Sequence, residues 1–199
     1  WSLDGETEFF SPEEMIQHFS LERINKAAAS FDPQKLLAFQ QHYMNELPTK
    51  QKVARVLPFL QDAGFVADPP PCDTAPHLTP IVQAAGDRIA IAGDILAFDD
   101  FFSADDQLQY DSKAFDKRLK KAGESVDLLR QYRDELATVA PFEAEHLETH
   151  LKSWLDARKA KIGQIIHALR VSVTGKAAGF GMFETLEILG RDSCLARID

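Results

Sequence analysis

The sequence predicts an all-α protein, two packed helical bundles preceded by a further helical segment. Three observations carry this expectation. Apolar residues recur at helical spacing in most windows of the chain. Capping residues followed by Pro open several of these windows, as at Ser11-Pro12 and Asp32-Pro33. No stretch shows the polar–apolar alternation of a half-buried strand.

Each element can be justified in order. Ser11-Pro12-Glu13-Glu14 reads as a capping box with Pro at the first helical position, opening Met15–Phe19. Asp32-Pro33 starts a helix that carries Leu36, Leu37, Phe39, Tyr43 and Met44. Thr49 is expected to cap the next, where Val53, Val56, Leu57 and Leu60 hold helical spacing until Gly64. Asp68-Pro69-Pro70-Pro71 is the clearest break, a stiff exposed linker. Short helices are predicted around Leu78–Ala85 and Ile89–Phe102, then near Lys113–Ala122 and Ser125–Ala137. A longer one places Leu147, Leu151, Trp154, Leu155 and Arg158 along one face. Ile162–Val173 and Met182–Leu189 complete the set, with a Gly-rich loop between them.

Composition bounds the function. The 199 residues suffice for one large domain or two small ones, and 45% hydrophobic content can fill real cores. No apolar run approaches the roughly 20 residues that span a bilayer. No signal-type stretch opens the chain, and Trp1 in place of an initiator Met is read as the start of a fragment. Cys72 and Cys194 lack ligand spacing and read as reduced thiols of a cytoplasmic protein. The net charge of −9 argues against nonspecific adhesion to nucleic acid, but it is unevenly spread. Residues 1–100 hold 7 basic against 15 acidic side chains, whereas residues 101–199 hold 15 against 16. Basic clusters lie at Lys113, Lys117, Arg118, Lys120, Lys121 and at Lys152, Arg158, Lys159, Lys161, and either could be a solvated helix face.

Catalytic signatures are missing from the sequence. There is no Walker-type phosphate loop, no G-x-G-x-x-G and no nucleophile–His–acid arrangement in a known context. Asp99-Asp100 and Asp105-Asp106 are paired carboxylates that could hold Mg²⁺ or do acid–base work, but beside loops such pairs are more often solvent-exposed helix ends. His146 and His150 stand at i, i+4, but Leu147 follows the first where a zincin has Glu, so they read as polar surface. No metal ligand set is predicted.

The most informative run is Leu169–Asp199. It holds an apolar stripe ending in a cation, then Gly179 and Gly181 in a loop expected to use positive φ, then a short amphipathic helix. Arg170 and Lys176 flank the loop with donors suited to phosphate or base edges. This run resembles the C-terminal end of bacterial-type glutamyl-tRNA synthetases, with its L-R…T-G, F-E and L-G-x-x-x-x-hydrophobic-x-R pattern. Two further stretches resemble the same family in the same order. One runs from Phe19 through Asn25-Lys26-Ala27-Ala28-Ala29 to Phe31-Asp32-Pro33-Gln34-Lys35-Leu36, and Trp1-Ser2 and Gly5 fit the family's linker before it. The other runs from Ala85-Gly86-Asp87-Arg88-Ile89 to Phe98-Asp99-Asp100-Phe101-Phe102. Together they cover nearly the whole chain.

The resemblance implies the anticodon-binding half of a class I enzyme that charges tRNA with glutamate using ATP. It implies three parts: a stem-contact segment at 1–47 and helical anticodon-binding domains at 48–108 and 109–199. The implied partner is glutamate tRNA, held by its anticodon loop and stem, and the protein is expected to be a monomer. ATP and Mg²⁺ belong to the parent enzyme; this chain lacks the H-I-G-H and K-M-S-K-S signatures, so no catalytic residue or cofactor is expected in it. Arg88 matches the family position associated with the third anticodon base, where the acceptors of cytosine suit a guanidinium and the donors of guanine oppose it. The same side chain could instead cap its helix or pair with Asp87 or Asp94. Arg170, Lys176, Gly179, Phe180 and Met182 complete the expected RNA-binding set, with Phe180 offering a stacking surface. Phe183 and Leu186 are assigned to the core, and Thr174-Gly175 to either a helix stop or a contact. The chain departs from the family at Ala38 and Gln40, where Trp and Asn are usual, and in reading Gly179-Phe180-Gly181-Met182 for Ser/Thr-Pro-Gly-hydrophobic. A free-standing helical module that binds a protein partner is the alternative.

Overall fold

A computed structural model describes residues 1, 3–24, 26, 28 and 30–199. Ser2, Asn25, Ala27 and Ala29, which carry part of the family resemblance, lie outside the described residues. The fold is all-α, and no strand occurs among the described residues.

Side-chain caps set several of the helix starts. At α1 (Pro12–His18) the Ser11 hydroxyl accepts from the Glu14 amide and the Glu14 carboxylate accepts from the Ser11 amide, the full capping box. At α2 (Pro33–Glu46) the Asp32 carboxylate accepts from the amides of Gln34 and Lys35. The expected cap at Thr49 is corrected: Thr49 is already the first residue of α3 (Thr49–Asp62), and Pro48 precedes it without a side-chain cap. The Pro48 carbonyl still accepts from the amides of Gln51 and Lys52, which starts the turn.

After the exposed 68–71 break come α4 (Thr74–Ala85) and a 3-10 turn at Gly86–Arg88. The helix expected over 89–102 is instead a 3-10 segment, Ala92–Phe101, broken by non-helical backbone at Phe98. Its start is held by the Asp94 carboxylate, which accepts from the amides of Ala90 and Ile91 at 2.9 Å each. In the second half, α5 (Ser112–Phe115) runs into a π turn at Asp116–Lys120, followed by α6 (Gly123–Leu136) and α7 (Ala144–Ala157). The last block forms α8 (Ile166–Thr174), α9 (Met182–Leu189) and α10 (Arg191–Ile198). The separate α10 was not expected from the periodicity.

Two apolar cores result. The first gathers Val56 and Leu60 of α3, Leu78 and Ile81 of α4, and Ile89, Ile95 and Phe101. The second gathers Tyr132 and Leu136 of α6, Leu147, Leu151 and Leu155 of α7, Leu169 and Val173 of α8, and Leu186 of α9. Each fully buried Leu or Ile contributes about 1.5–3 kcal/mol by leaving water. By contrast, large apolar residues before α3 stay exposed: Ile16 is 79% accessible and Phe31 77%.

Several polar residues sit deeper than the sequence suggested. Asp100 is buried and Asp99 half-buried, because both accept from Lys176 Nζ, Asp100 at 2.5 Å. Asp105 pairs with Arg197 of α10, so three of the four paired carboxylates join the two halves instead of facing solvent. His150 is half-buried with its ring 5.9 Å from that of Tyr132, whereas His146 is exposed as expected. Both cysteines are free thiols, Cys72 exposed and Cys194 buried.

Candidate nucleic-acid interface

The Gly-rich block of the sequence becomes the turn between α8 and α9. Helix α8 ends at Gly175 in the left-handed region (φ 71°), where its amide donates to the Val171 carbonyl. A Cβ on Gly175 would stand 2.0 Å from the Gln109 carbonyl oxygen, and the Gly175 carbonyl accepts from the Asp111 amide at 2.8 Å. Thr174-Gly175 is therefore a helix stop that docks the 109–111 strap. The positive φ expected at Gly179 and Gly181 is found instead at Gly175 and Gly190. Gly181 precedes α9 at φ −50°, open to any residue's backbone.

The expected RNA-facing side chains divide into two groups. Lys176 is consumed inside the protein: its ammonium donates to the Ala97 carbonyl (2.7 Å), to Asp99 and to Asp100. Burial alone would lower its pKa, but the bonds to Asp100 and Asp99 outweigh that and hold it above the ordinary lysine value. Phe180 is 3% accessible, its ring stacked on Phe101 at 5.0 Å and tilted against Phe98 at 4.7 Å, so the stacking face expected for a base is already occupied. Met182 is buried in the second core, as are Leu186 and, in part, Phe183. These three expected contacts are corrected to structural roles: Lys176 saturates two carboxylates, and Phe180 and Met182 gain more by leaving water.

Arg88, Arg170 and Gly179 remain at the surface. Arg88 lies exposed at the end of the 3-10 turn after α4, and its Nη1 donates to the Ala84 carbonyl at 3.3 Å. It makes no ion pair with Asp87 or Asp94; Asp94 is taken by backbone amides. Arg170, on α8, is half-buried, and its Nη1 is shielded from solvent without a hydrogen-bond partner. Burial pulls its pKa below the usual arginine value; Asp100 opposes the shift and Arg88 adds to it. The loop passes close by, since a Cβ on Gly179 would lie 3.4 Å from that same Nη1. Two guanidiniums from different helical units thus share one rim, one of them with a buried donor unsatisfied. Such a donor costs about 1–3 kcal/mol.

Cation chemistry here is directed at acceptors, not at metals. Asp99, Asp100 and Asp105 are each engaged by Lys176 or Arg197, and no group of three metal-ligating side chains is assembled among the described residues. These residues therefore do not fit Mg²⁺.

The all-α chain belongs to the anticodon-binding domain family, whose model matches residues 51–199. The curated relatives it matches include a glutamate–tRNA ligase of Moorella thermoacetica (33% identical) and one of Roseiflexus castenholzii (34%), each aligned with all 199 residues. The chain spans about 40% of the length of these relatives, corresponding to their C-terminal part. Among solved structures, the glutamate tRNA ligase from Elizabethkingia meningosepticum in complex with its amino acid shares the fold across the whole chain. Its TM-score is 0.84 at 24% identity, covering 38% of that chain. The glutamate-tRNA synthetase of Elizabethkingia anophelis does so with a TM-score of 0.81.

Proposed function

We propose that this chain is the anticodon-reading part of a glutamate–tRNA ligase and holds glutamate tRNA by its anticodon loop and stem. The observation that carries this reading is the pairing of exposed Arg88 with half-buried Arg170, two guanidiniums from different helical units close enough to act on each other. Sequence-specific RNA readers bind splayed loop bases by their Watson–Crick edges, which present acceptors that suit a guanidinium. In this reading Arg88 faces the third anticodon base and favours C over G, while Arg170 and the Gly179 loop bind beside it. Glutamate activation with ATP and Mg²⁺ belongs to residues outside this sequence.

The reading also covers the first part of the chain. Residues 1–47 act as a stem-contact segment, and 48–108 and 109–199 as two anticodon-binding domains. The exposed Ile16, Phe19, Leu21 and Phe31 are the surface on which the remainder of a longer ligase packs, consistent with relatives about 2.5 times as long. The protein is a cytoplasmic monomer in this account; no helix among the described residues is long and apolar enough to cross a membrane.

The test is a titration of the 199-residue chain with glutamate tRNA at low salt, beside the same tRNA with its third anticodon base changed to G. Tighter binding to the unaltered tRNA supports the reading. Binding that ignores the anticodon, or no binding at all, overturns it in favour of a helical protein-interaction module.

A further inference from the structure

We propose that Lys117 and Arg118 of the π turn, with His167 of α8, form a phosphate-binding strip that continues the Arg88–Arg170 rim and grips the RNA backbone beside the anticodon bases. The inference rests on the proposed anticodon-binding function and adds the part of the surface that would hold phosphate.

The two basic clusters of the sequence have different fates. In the second, Lys152 pairs with Glu148 at 2.6 Å, and Arg158 stacks over the Trp154 ring at 4.0 Å while lying 3.8 Å from Glu135. Two of its four cations are thus engaged by their own helices, while Lys159 and Lys161 stay exposed. In the first, the π turn Asp116–Lys120 contains one carboxylate, Asp116, and Lys120 takes it at 3.8 Å. Lys117 is exposed and Arg118 half-buried, and neither has an ion-pair partner among the described residues. The turn packs against α8, which brings Lys117 and Arg118 to the exposed His167, three residues before Arg170 on the same helix.

Mutual influence ties these groups into one surface. His167 is held below the usual 6.5 by burial and then by Arg118, Arg170 and Lys117, so the charged side chains acting on it are all cations. Arg170 in turn feels Asp100 first, which favours its charge, and then Arg88, which opposes it. Asp100 offsets part of the charge at Arg170, but the cations at Lys117, Arg118 and Arg88 are left to repel their neighbours in the free protein and are relieved by a polyanion laid along them. In a chain of net charge −9, RNA attraction has to come from such a local concentration. A string of phosphates beside unstacked bases matches a strip of cations beside a base-facing guanidinium better than scattered carboxylates of a protein do.

The experiment measures binding of the 199-residue chain to glutamate tRNA and to its isolated anticodon stem-loop across salt concentrations. Each phosphate contact to single-stranded RNA contributes about 0.7 to the log–log salt slope. Lys117→Ala/Arg118→Ala is expected to flatten the slope by roughly 1.4, so that it loses about sevenfold less affinity than the parent between about 50 and 200 mM salt. The preference for the third anticodon base should be retained, and helix content by circular dichroism unchanged. Lys152→Ala is expected to leave the slope as it was. His167→Gln supplies a second readout. Phosphate contact raises the depressed pKa of His167, so binding takes up a proton and the parent's affinity rises as pH falls from about 8 to 6, which the variant loses.

Anticodon-dependent binding with an unchanged salt slope in the double variant overturns the strip while leaving the anticodon reading intact. A slope that changes for polyglutamate and not for the stem-loop overturns it in favour of an acidic protein partner. Failure of the parent chain to bind either RNA overturns both.

Discussion

Arg197 and Asp105 form the ion pair that locks the last helix onto the segment leaving the first core, with Nε 2.6 Å from Oδ1. The same guanidinium donates from Nη1 to the carbonyls of Asp100 and Val173 at 2.9 Å each and from Nη2 to that of Ser103 at 3.0 Å. One buried side chain thus ties α10, the end of α8 and the 100–105 segment together. It is also the Arg that closes the family-like L-G-x-x-x-x-hydrophobic-x-R pattern, so that position is explained by folding and needs no ligand.

Arg197→Met should therefore destabilise the protein by about 3–5 kcal/mol, because it strands a carboxylate and three carbonyls. Thermal melting should show a fall of more than about 6 °C for a chain of this size. An unchanged midpoint would mean that solvent or neighbours replace all four bonds.

Gly175→Ala is expected to cost roughly 3 kcal/mol from left-handed strain and steric conflict. The added methyl meets the Gln109 carbonyl at 2.0 Å, and backbone is a neighbour that cannot swing aside. Chemical denaturation checks this, with Gly179→Ala as the comparison: there the nearest atom is the Arg170 side chain at 3.4 Å, and the effect should be small.

Lys176→Met separates a structural role from an RNA-binding one. Loss of the ammonium leaves Asp100 buried without its partner, a penalty of about 3 kcal/mol near neutral pH. Burial raises the Asp100 pKa above 3.8 even with Lys176 present, and removing Lys176 raises it further. The penalty is therefore full above the raised folded value, shrinks as pH falls through it and vanishes below the unfolded value near 3.8. Stability measured from neutral to acid pH should show the variant converging on the parent. A constant difference would assign the loss to packing.

Arg88→Gln should change selectivity more than affinity. The Arg88 side chain is exposed and bonded only to the Ala84 carbonyl, so its removal leaves the fold intact. Gln carries both a donor and an acceptor and can serve C or G, so discrimination of about 1–3 kcal/mol on the scale of a bidentate base contact should disappear. Equal losses on glutamate and glutamine tRNAs would make Arg88 a backbone or fold contact.

The helical class, the caps at Ser11 and Asp32 and the core faces of α3 and α7 were legible in the sequence, because helix caps and 3.6-residue periodicity act over a few neighbouring residues. The thirty-residue block at the end was legible too, as a family pattern. What the sequence could not decide was which of its cations face outward. Lys176 and Arg170 sit six residues apart with similar chemistry, yet Lys176 meets two carboxylates from positions 99 and 100 and Arg170 is left with an unpartnered donor. Phe180 looked like a platform for a base until Phe98 and Phe101 closed over it. The two basic clusters were likewise indistinguishable in composition, and only the packing of the π turn on α8 set Lys117 and Arg118 of one of them near Arg170. Helix formation depends on neighbours along the chain; the availability of a charge depends on partners as many as 92 residues away, as for Arg197 and Asp105, which only the folded chain brings within reach.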